Sequence, residues 1–429
     1  MDLIDLNVEK LVTGGRGLAR WDKMAVFIAG AVPGDHVRVR ITGRRRGHAT
    51  ADIVSILQPG PHRTTPLCPR FGICGGCHLQ HLDITQQRSF KRSVVIDSLT
   101  RIGHFDASTP VAQTGEISPV WNYRRKAGFK VRLVRDRLIL GFHQAGSHRV
   151  VDLDHCPVLC PQLNDLMQPL RSLVGSLSIR AQVPQVDVMA GDRGVGLVLH
   201  LIKPLSRQDH EHCLAFARDH GLARFDVQQG RKDRLVSLYQ SGGMEYFLEG
   251  MTLKFLPADF IQVNGAGNIQ LVAMAMAAAG HGARAWDLFS GIGNFTLPLA
   301  RRHGEVWAME GNRSSLDRLR LNSQRAGLER IEPLNVDLFS PEGVQSLKQY
   351  PVPEVINLDP PREGAIEWCR QIRQFTPQRL VYVSCDPATF SRDAAVLRHH
   401  GGALRAVTPL DLFPQTSHVE LIALFEWNR

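Results

Sequence analysis

Asp287-Leu-Phe-Ser-Gly-Ile-Gly-Asn-Phe295 joins an apolar, strand-like run to a helix-like one. Gly291 and Gly293 let a ligand approach the backbone closely. A dinucleotide fingerprint needs a third glycine three residues later; that place holds Thr296, which disfavours NAD and FAD. The next strand-like run, Val306-Trp-Ala-Met-Glu310, ends in an acid nineteen residues after Gly291, where a carboxylate can hold both hydroxyls of a ribose. A strand, a Gly-x-Gly turn and an acid closing the second strand suit S-adenosylmethionine. Asp337, at the end of the third strand in Asn335-Val-Asp337, is either an acceptor for the adenine amine or a helix N-cap.

Working outward, strand-like and helix-like runs alternate: Ala283–Phe289, Phe295–His303, Glu305–Glu310, Ser314–Ala326, Glu354–Asp359, Ala365–Arg373 and Arg379–Ser384. This pattern predicts an α/β fold, a mostly parallel sheet covered by helices. Val355-Ile-Asn-Leu-Asp-Pro-Pro-Arg362 is a buried strand ending in a stiff turn. Its two prolines remove N–H donors and fix φ, holding Asp359 at the carboxyl edge of the sheet, where such folds bind ligands. Methylases of exocyclic amines carry an aromatic after the prolines; Arg362 speaks against that chemistry. Cys385 closes the strand that begins at Leu380 and falls on the same edge. It reads as a small buried hydrophobe or as a nucleophile. Glu420 opens the strand Leu421–Phe425 and is either a solvated edge acid or a general base.

One reaction uses all these parts. Carbon 5 of uracil is too weakly nucleophilic to attack a methylsulfonium. A thiolate adding to carbon 6 makes an enolate, carbon 5 takes the methyl group, and a base removes the carbon 5 proton so that the thiolate leaves. The uracil must be flipped out of its stack to reach such a site.

The rest of the chain is consistent with a nucleic-acid partner. It has 429 residues, about three domains' worth. Its composition, 43% hydrophobic and 21% charged, excludes wholesale disorder, collagen and a membrane bundle. The longest apolar run, Leu271 to Ala279, is too short for a membrane span and reads as a buried helix. The start, Met1 to Asp5, shows no signal segment, and a cytoplasmic location is expected. A net charge of +10 suggests an anionic partner if the charges cluster. Residues 1–58 read as a small β-barrel of short runs (Ile4–Leu6, Ala25–Ile28, His36–Ile41, Ala51–Ile56) between glycine-rich turns. Arg38, Arg40, Arg44, Arg45 and Arg46 fall there with no acid between Val37 and Thr50, predicting an RNA-binding face. Pro59-Gly60-Pro61 marks a boundary. A helical stretch is expected near Thr85 to Ile102. Trp121 to Arg137 holds seven Lys or Arg against one Asp, interleaved with Trp121, Tyr123 and Phe129. It reads as an RNA contact through Arg124, Arg125 and Lys126, or a hairpin with its aromatics in the core, or both.

Eight cysteines in a chain expected to be cytosolic do not suggest disulfides. Cys68, Cys74 and Cys77 cluster in a glycine-rich turn, with Cys156 or Cys160 as a fourth ligand. Four thiolates suit zinc or an iron–sulfur cluster, and spacing leaves both open. Cys213 and Cys369 read as core residues.

Taken together, the motifs resemble the RNA 5-methyluridine methyltransferases that carry an N-terminal TRAM domain, most nearly the members acting on 23S ribosomal RNA. The resemblance spans nearly the whole chain: Gly14 to Leu18, Val32-Pro-Gly34, Cys68 to Cys77, Phe260-x-Gln262-x-Asn264, Asp287 to Thr296, Asp359 to Arg362, Ser384-Cys385 and His418-Val-Glu420. It implies a TRAM, OB-like barrel over 1–58 and a central α+β iron–sulfur domain over 59–250. A class I, Rossmann-like methyltransferase domain follows over 251–429. It further implies a [4Fe-4S] cluster on Cys68, Cys74, Cys77 and Cys156, nucleophile Cys385 and base Glu420. Cofactor contacts are implied at Gln262, Phe289, Asn294, Glu310, Asp337 and Asp359. Three residues depart from the family: Ser290 replaces a common cysteine, Asp337 stands where some members have Asn, and Asp386 follows the nucleophile where Asn is common. A monomer with RNA as partner is expected. The rival readings are the same chemistry on the T-loop uridine of tRNA, an iron–sulfur RNA-binding protein with an inactive methylase half, and a nicotinamide oxidoreductase, which Thr296 opposes.

Overall fold

The computed structural model describes residues 3–106, 108–230 and 235–427. Five strands, β1 (Leu3–Val12), β2 (Arg16–Trp21), β3 (Met24–Ala29), β4 (His36–Arg45) and β5 (His48–Gln58), close into a barrel in the order β1-β2-β3-β5-β4. Strand β4 alternates as its sequence predicts: Val37 and Val39 are fully buried while Arg38 and Arg40 face solvent. The strand that sequence reading missed is β2, hidden among turn glycines. Gly17 belongs to it because a Cβ there would lie 2.7 Å from Ala31 and 2.9 Å from Val8, blocking barrel closure.

Helix α1 (Ile84–Arg101) starts where expected, capped by Asp83, whose side chain accepts from the amide of Gln86 at 2.9 Å. Its apolar side joins the core of the C-terminal sheet: Phe90, Val94, Val95 and Leu99 share one cluster with Tyr382, Phe390 and Leu421. The segment after it also leans on that half, through parallel bridges Val111–Val407 and Gly115–Leu410.

A seven-stranded sheet follows, ordered β12-β11-β10-β9-β6-β7-β8. It comprises β6 (Lys126–Val134), β7 (Arg137–His143), β8 (Val150–Asp152), β9 (Gln185–Ala190), β10 (Val195–Leu201), β11 (Arg224–Gln229) and β12 (Leu235–Gln240). Helices α2 (Pro161–Asp165), α3 (Met167–Ser176) and α4 (Arg207–Asp219) accompany it. Strands β6 and β7 are the expected hairpin. A short ribbon, β13 (Met244–Leu248) and β14 (Met251–Phe255), leads to α5 (Gly265–Ala279), the buried helix that the Leu271 run announces.

The C-terminal sheet alternates as predicted. Its strands and helices are β15 (Gly282–Leu288), α6 (Thr296–Ala300), β16 (His303–Glu310), α7 (Arg313–Arg325), β17 (Ile331–Asn335), α8 (Pro341–Ser346), β18 (Val355–Leu358), α9 (Ile366–Gln371), β19 (Arg379–Ser384), α10 (Pro387–His399), β20 (Ala403–Leu410) and β21 (Glu420–Glu426). The order is β17-β16-β15-β18-β19-β21-β20, parallel except for β21, which runs antiparallel to both its neighbours. No helix among the described residues is long and apolar enough to cross a membrane.

Candidate active site

Register brings the site together. Leu288 of β15 lies level with Leu358 of β18 and Met309 of β16, and Leu358 with Tyr382 of β19. Phe289, Glu310 and Asp359, one residue beyond these positions, and Cys385, three residues beyond Tyr382 at the end of the longer β19, therefore emerge at one carboxyl edge. Ser384 pairs with Leu421 of the antiparallel β21, so Cys385 and Glu420 follow side by side.

On the cofactor side, Asp287 is buried and accepts from the Thr296 hydroxyl at 2.5 Å and from the Asn357 amide at 2.8 Å. Thr296 thus ties helix α6 back to the strand, a use for the residue that displaces the third glycine. Phe289 adopts φ 61°, left-handed backbone that is costly for a side chain with a Cβ and typical of functional turns. At Gly293 a Cβ would lie 2.5 Å from Leu297. The Glu310 carboxylate bridges the amides of Gly291 (3.0 Å) and Asn312 (2.8 Å). Asn294 forms a reciprocal amide pair with Asn268 (2.8 and 2.9 Å) and accepts from Tyr246 at 3.0 Å. Gln262 is buried, its carbonyl accepting from Arg125 at 2.9 Å. Asp337 is exposed and makes a local turn, accepting from the amide of Phe339; the N-cap of α8 is Ser340, so the capping reading of Asp337 is corrected. Neither Asn268, Tyr246 nor Phe339 carries a motif that singles it out in sequence; the Phe339 ring lies 5.3 Å from that of Phe289.

Acids crowd this edge. Burial, aided by the neighbouring Glu310, pushes Asp287 up to about 6. Burial and Asp287 push Asp359 up to about 8. Burial and Asp359 hold Glu420 well above the carboxylate range, partly offset by Arg362. Cys385, half-buried, is pushed up to about 11 by burial and by Glu420 and Asp359, again against Arg362. Arg362 is thus the cation common to nucleophile and base. Asp386 caps α10 directly after the nucleophile, its side chain accepting from Ala388 and Thr389.

A cavity of about 1630 Å³ runs from the barrel past the cysteines to Phe413, Thr416 and His418, two residues short of Glu420. Barrel cations Lys10, Arg16 and Arg20 line it, as does Arg124; Arg38, Arg40 and Arg44 to Arg46 do not. Arg38 is instead clamped by Asp5 through two 2.8 Å bonds. Of the second expected RNA patch, Arg125 is buried against Tyr246, and Lys126 donates to the carbonyls of Pro257 and Asp259, so these two are packing residues. Tyr123 and Phe129 are likewise in the core.

The same cavity collects Cys68, Cys74, Cys77 and Cys156. Burial and the mutual proximity of these thiols push Cys77 up to about 12 and Cys156 up to about 11. Cys160 sits apart as the N-cap of α2, and Cys213 and Cys369 are fully buried core residues. No three His, Cys, Asp or Glu side chains among the described residues converge on a single-ion site.

Residues 105–427 match the tRNA (Uracil-5-)-methyltransferase family and residues 3–54 the TRAM domain. The 23S rRNA (uracil(1939)-C(5))-methyltransferase RlmD of Alkalilimnicola ehrlichii is 40% identical over 96% of this chain and 94% of its own. Its counterpart in Nitrosospira multiformis is 39% identical over 98% of both chains. The crystal structure of Pyrococcus abyssi tRNA (uracil-54, C5)-methyltransferase, in complex with S-adenosyl-L-homocysteine, superposes with a TM-score of 0.77, covering 98% of this chain and all of that one at 21% identity, a likeness of fold.

Proposed function

We propose, from the premise that the chain belongs to the RNA uracil-5-methyltransferase family, that it methylates carbon 5 of a uridine in 23S ribosomal RNA. The relatives at about 40% identity over full length carry the choice of RNA; the neighbouring Cys385 and Glu420 carry the chemistry.

S-adenosylmethionine supplies an electrophilic methyl group on a cationic sulfur. The crevice suits it. Gly291 and Gly293 leave the backbone of the turn open to a ligand, Glu310 can take the ribose hydroxyls and Asp337 the adenine amine. Gln262, Phe289, Asn294 and Asp359 are the remaining contacts of this reading, and the buried Ser290 hydroxyl has no hydrogen-bond partner among the described residues. Cys385 adds to carbon 6 of the flipped uracil as thiolate. With carbon 5 methylated, Glu420 takes its proton, the bond from sulfur to carbon 6 breaks, and the thiolate returns. Arg362 favours the charged forms of both residues, which the surrounding acids oppose.

The test uses both residues. RNA carrying 5-fluorouridine at the target should stay attached after methyl transfer, because carbon 5 then bears no proton to remove. Cys385→Ala should abolish adduct and turnover. Glu420→Gln should add and methylate but release slowly, by about 10²-fold or more, leaving a shifted band with ordinary uridine RNA on a denaturing gel. Normal turnover in Glu420→Gln would dismiss it as base. Mapping 5-methyluridine in rRNA and tRNA of a deletion strain separates the two RNA targets.

The four cavity cysteines are read as holding a [4Fe-4S] cluster. Such a cluster takes one thiolate on each iron, and the four cysteines line one cavity close enough for the charge on each thiol to oppose that of its neighbours. Protein purified without oxygen should be brown and hold about four irons with matching sulfide; stoichiometric zinc without sulfide would overturn the assignment.

A further inference from the structure

The chain reaches Glu420 through the loop 411–419, which leaves β20 at Leu410. Side chains that the reaction does not use grip this loop. Lys91, fully buried on α1, pairs with the equally buried Asp411 and donates to the Phe413 carbonyl at 2.9 Å. The Tyr123 hydroxyl donates to the Pro414 carbonyl at 2.9 Å, and the Asn264 amide to that of Leu412 at 3.0 Å. Gln415 is buried at φ 70°. Its carbonyl accepts from the amides of His78 (2.9 Å) and Leu79 (3.0 Å), which directly follow Cys77.

One side chain closes this arrangement. Gln87 of α1 is 1% exposed. The two hydrogens of its Nε2 are shared among the carbonyls of Leu79 (3.0 Å) and Leu82 (2.9 Å) and Oε1 of Gln415 (3.0 Å). Its Oε1 accepts from the amide of Gln415 at 2.9 Å. A single planar amide thus joins the end of the cysteine loop to the loop that delivers Glu420.

We infer that Gln87 is a positioning residue for the base, acting through Gln415 and coupling the order of the cysteine loop to the placement of Glu420. A carboxamide suits the task because it offers donors and an acceptor at fixed angles. Without it, buried carbonyls of Leu79 and Leu82 and the amide of Gln415 lose partners, and nothing on α1 holds Gln415 in its left-handed backbone. The loop then relaxes and carries Glu420 away from carbon 5. Cys385, on β19, keeps its place. The inference rests on Glu420 being the base.

The experiment compares Gln87→Leu, which keeps bulk and removes every bond, with Gln415→Gly, which keeps the left-handed backbone and removes only the side-chain acceptor. In Gln87→Leu, attachment to 5-fluorouridine RNA should stay within about threefold of the parent, while release of ordinary methylated RNA slows by about tenfold or more, with adduct accumulating. Gln415→Gly should show a smaller slowing of the same step, and the double variant should be no slower than Gln87→Leu, since both act through one contact. Parallel loss of attachment and release would reduce Gln87 to general stability and overturn the inference. So would accumulation in Glu420→Gln with normal release in a folded Gln87→Leu or, should Gln87→Leu fail to fold, with normal release in Gln415→Gly. If Glu420→Gln itself does not accumulate adduct, the assignment of the base fails first and the inference falls with it.

Discussion

The carboxyl edge of the C-terminal sheet and the surface of the barrel are both made by strands, yet they gather charge differently. At the sheet edge, register does the gathering. The parallel strands end there and the antiparallel β21 begins there, so Glu310, Asp359, Cys385 and Glu420 come to one edge although 110 residues separate the first from the last. On the barrel, the pleat distributes charge. Alternation says that Arg38 and Arg40 point outward, but a closed barrel has outward directions all round. The cavity lies along the other wall, where Lys10, Arg16 and Arg20 stand. Charge density in the sequence identified a cationic module; it did not identify which side of the module lines the cavity.

The largest effect that would break or sharpen this contrast is on RNA affinity. Replacing Lys10, Arg16 and Arg20 together by Ala should weaken RNA binding by about 10- to 100-fold at moderate salt and reduce the slope of log affinity against log salt by about 2. Replacing Arg38 and Arg40 should cost about threefold or less, because Arg38 is already committed to Asp5. Filter binding across a salt series measures both. A greater loss from the Arg38 and Arg40 pair would mean that RNA wraps the outer wall and that clustering in sequence was the better guide.

How far sequence could go follows from the same contrast. The alternating elements from Ala283 onward were legible because a buried parallel strand and its covering helix each leave a strong apolar pattern. Strand β19 runs over the span expected of it, Arg379–Ser384. The positions of Asp359, Cys385 and Glu420 were legible as strand ends, and register then made them neighbours. Strand β2 was not legible, because the glycines that let it pass close to Ala31 look like turn residues. The aromatic and basic stretch from Trp121 was ambiguous for a physical reason. A hairpin edge and an RNA face share the same alternation, and only packing reveals that Tyr123, Arg125 and Phe129 point inward while Arg124 lines the cavity. Gln87 and Gln415 were invisible, since a lone glutamine in a helix and another in a loop carry no pattern until the fold sets them 2.9 Å apart.

The smaller effect concerns the cost of gathering acids. In the cofactor-free protein Asp359 keeps its proton up to about pH 8, against an ordinary value of 3.8, because burial and Asp287 disfavour its charge. Between those two values the folded state binds more protons than the unfolded chain, so stability falls as pH rises and levels off above about 8. Asp359→Asn removes the titration and also relieves Asp287 of an acidic neighbour. The variant should therefore melt higher than the parent, with little difference near pH 5 and a gap of about 2 to 4 °C near pH 8.5. The cationic barrel offers the control: substituting solvated Arg40, which pairs with no buried group, should leave the pH dependence of melting unchanged. A gap that narrows with rising pH would mean that the charge on Asp359 is compensated before any cofactor binds. A widening gap would mean that the edge is held ready at the expense of stability, waiting for a cation to sit beside its acids. Arg38 and Arg40, which stay on the solvent face of the barrel, carry no such penalty, and their half of the comparison is read in binding alone.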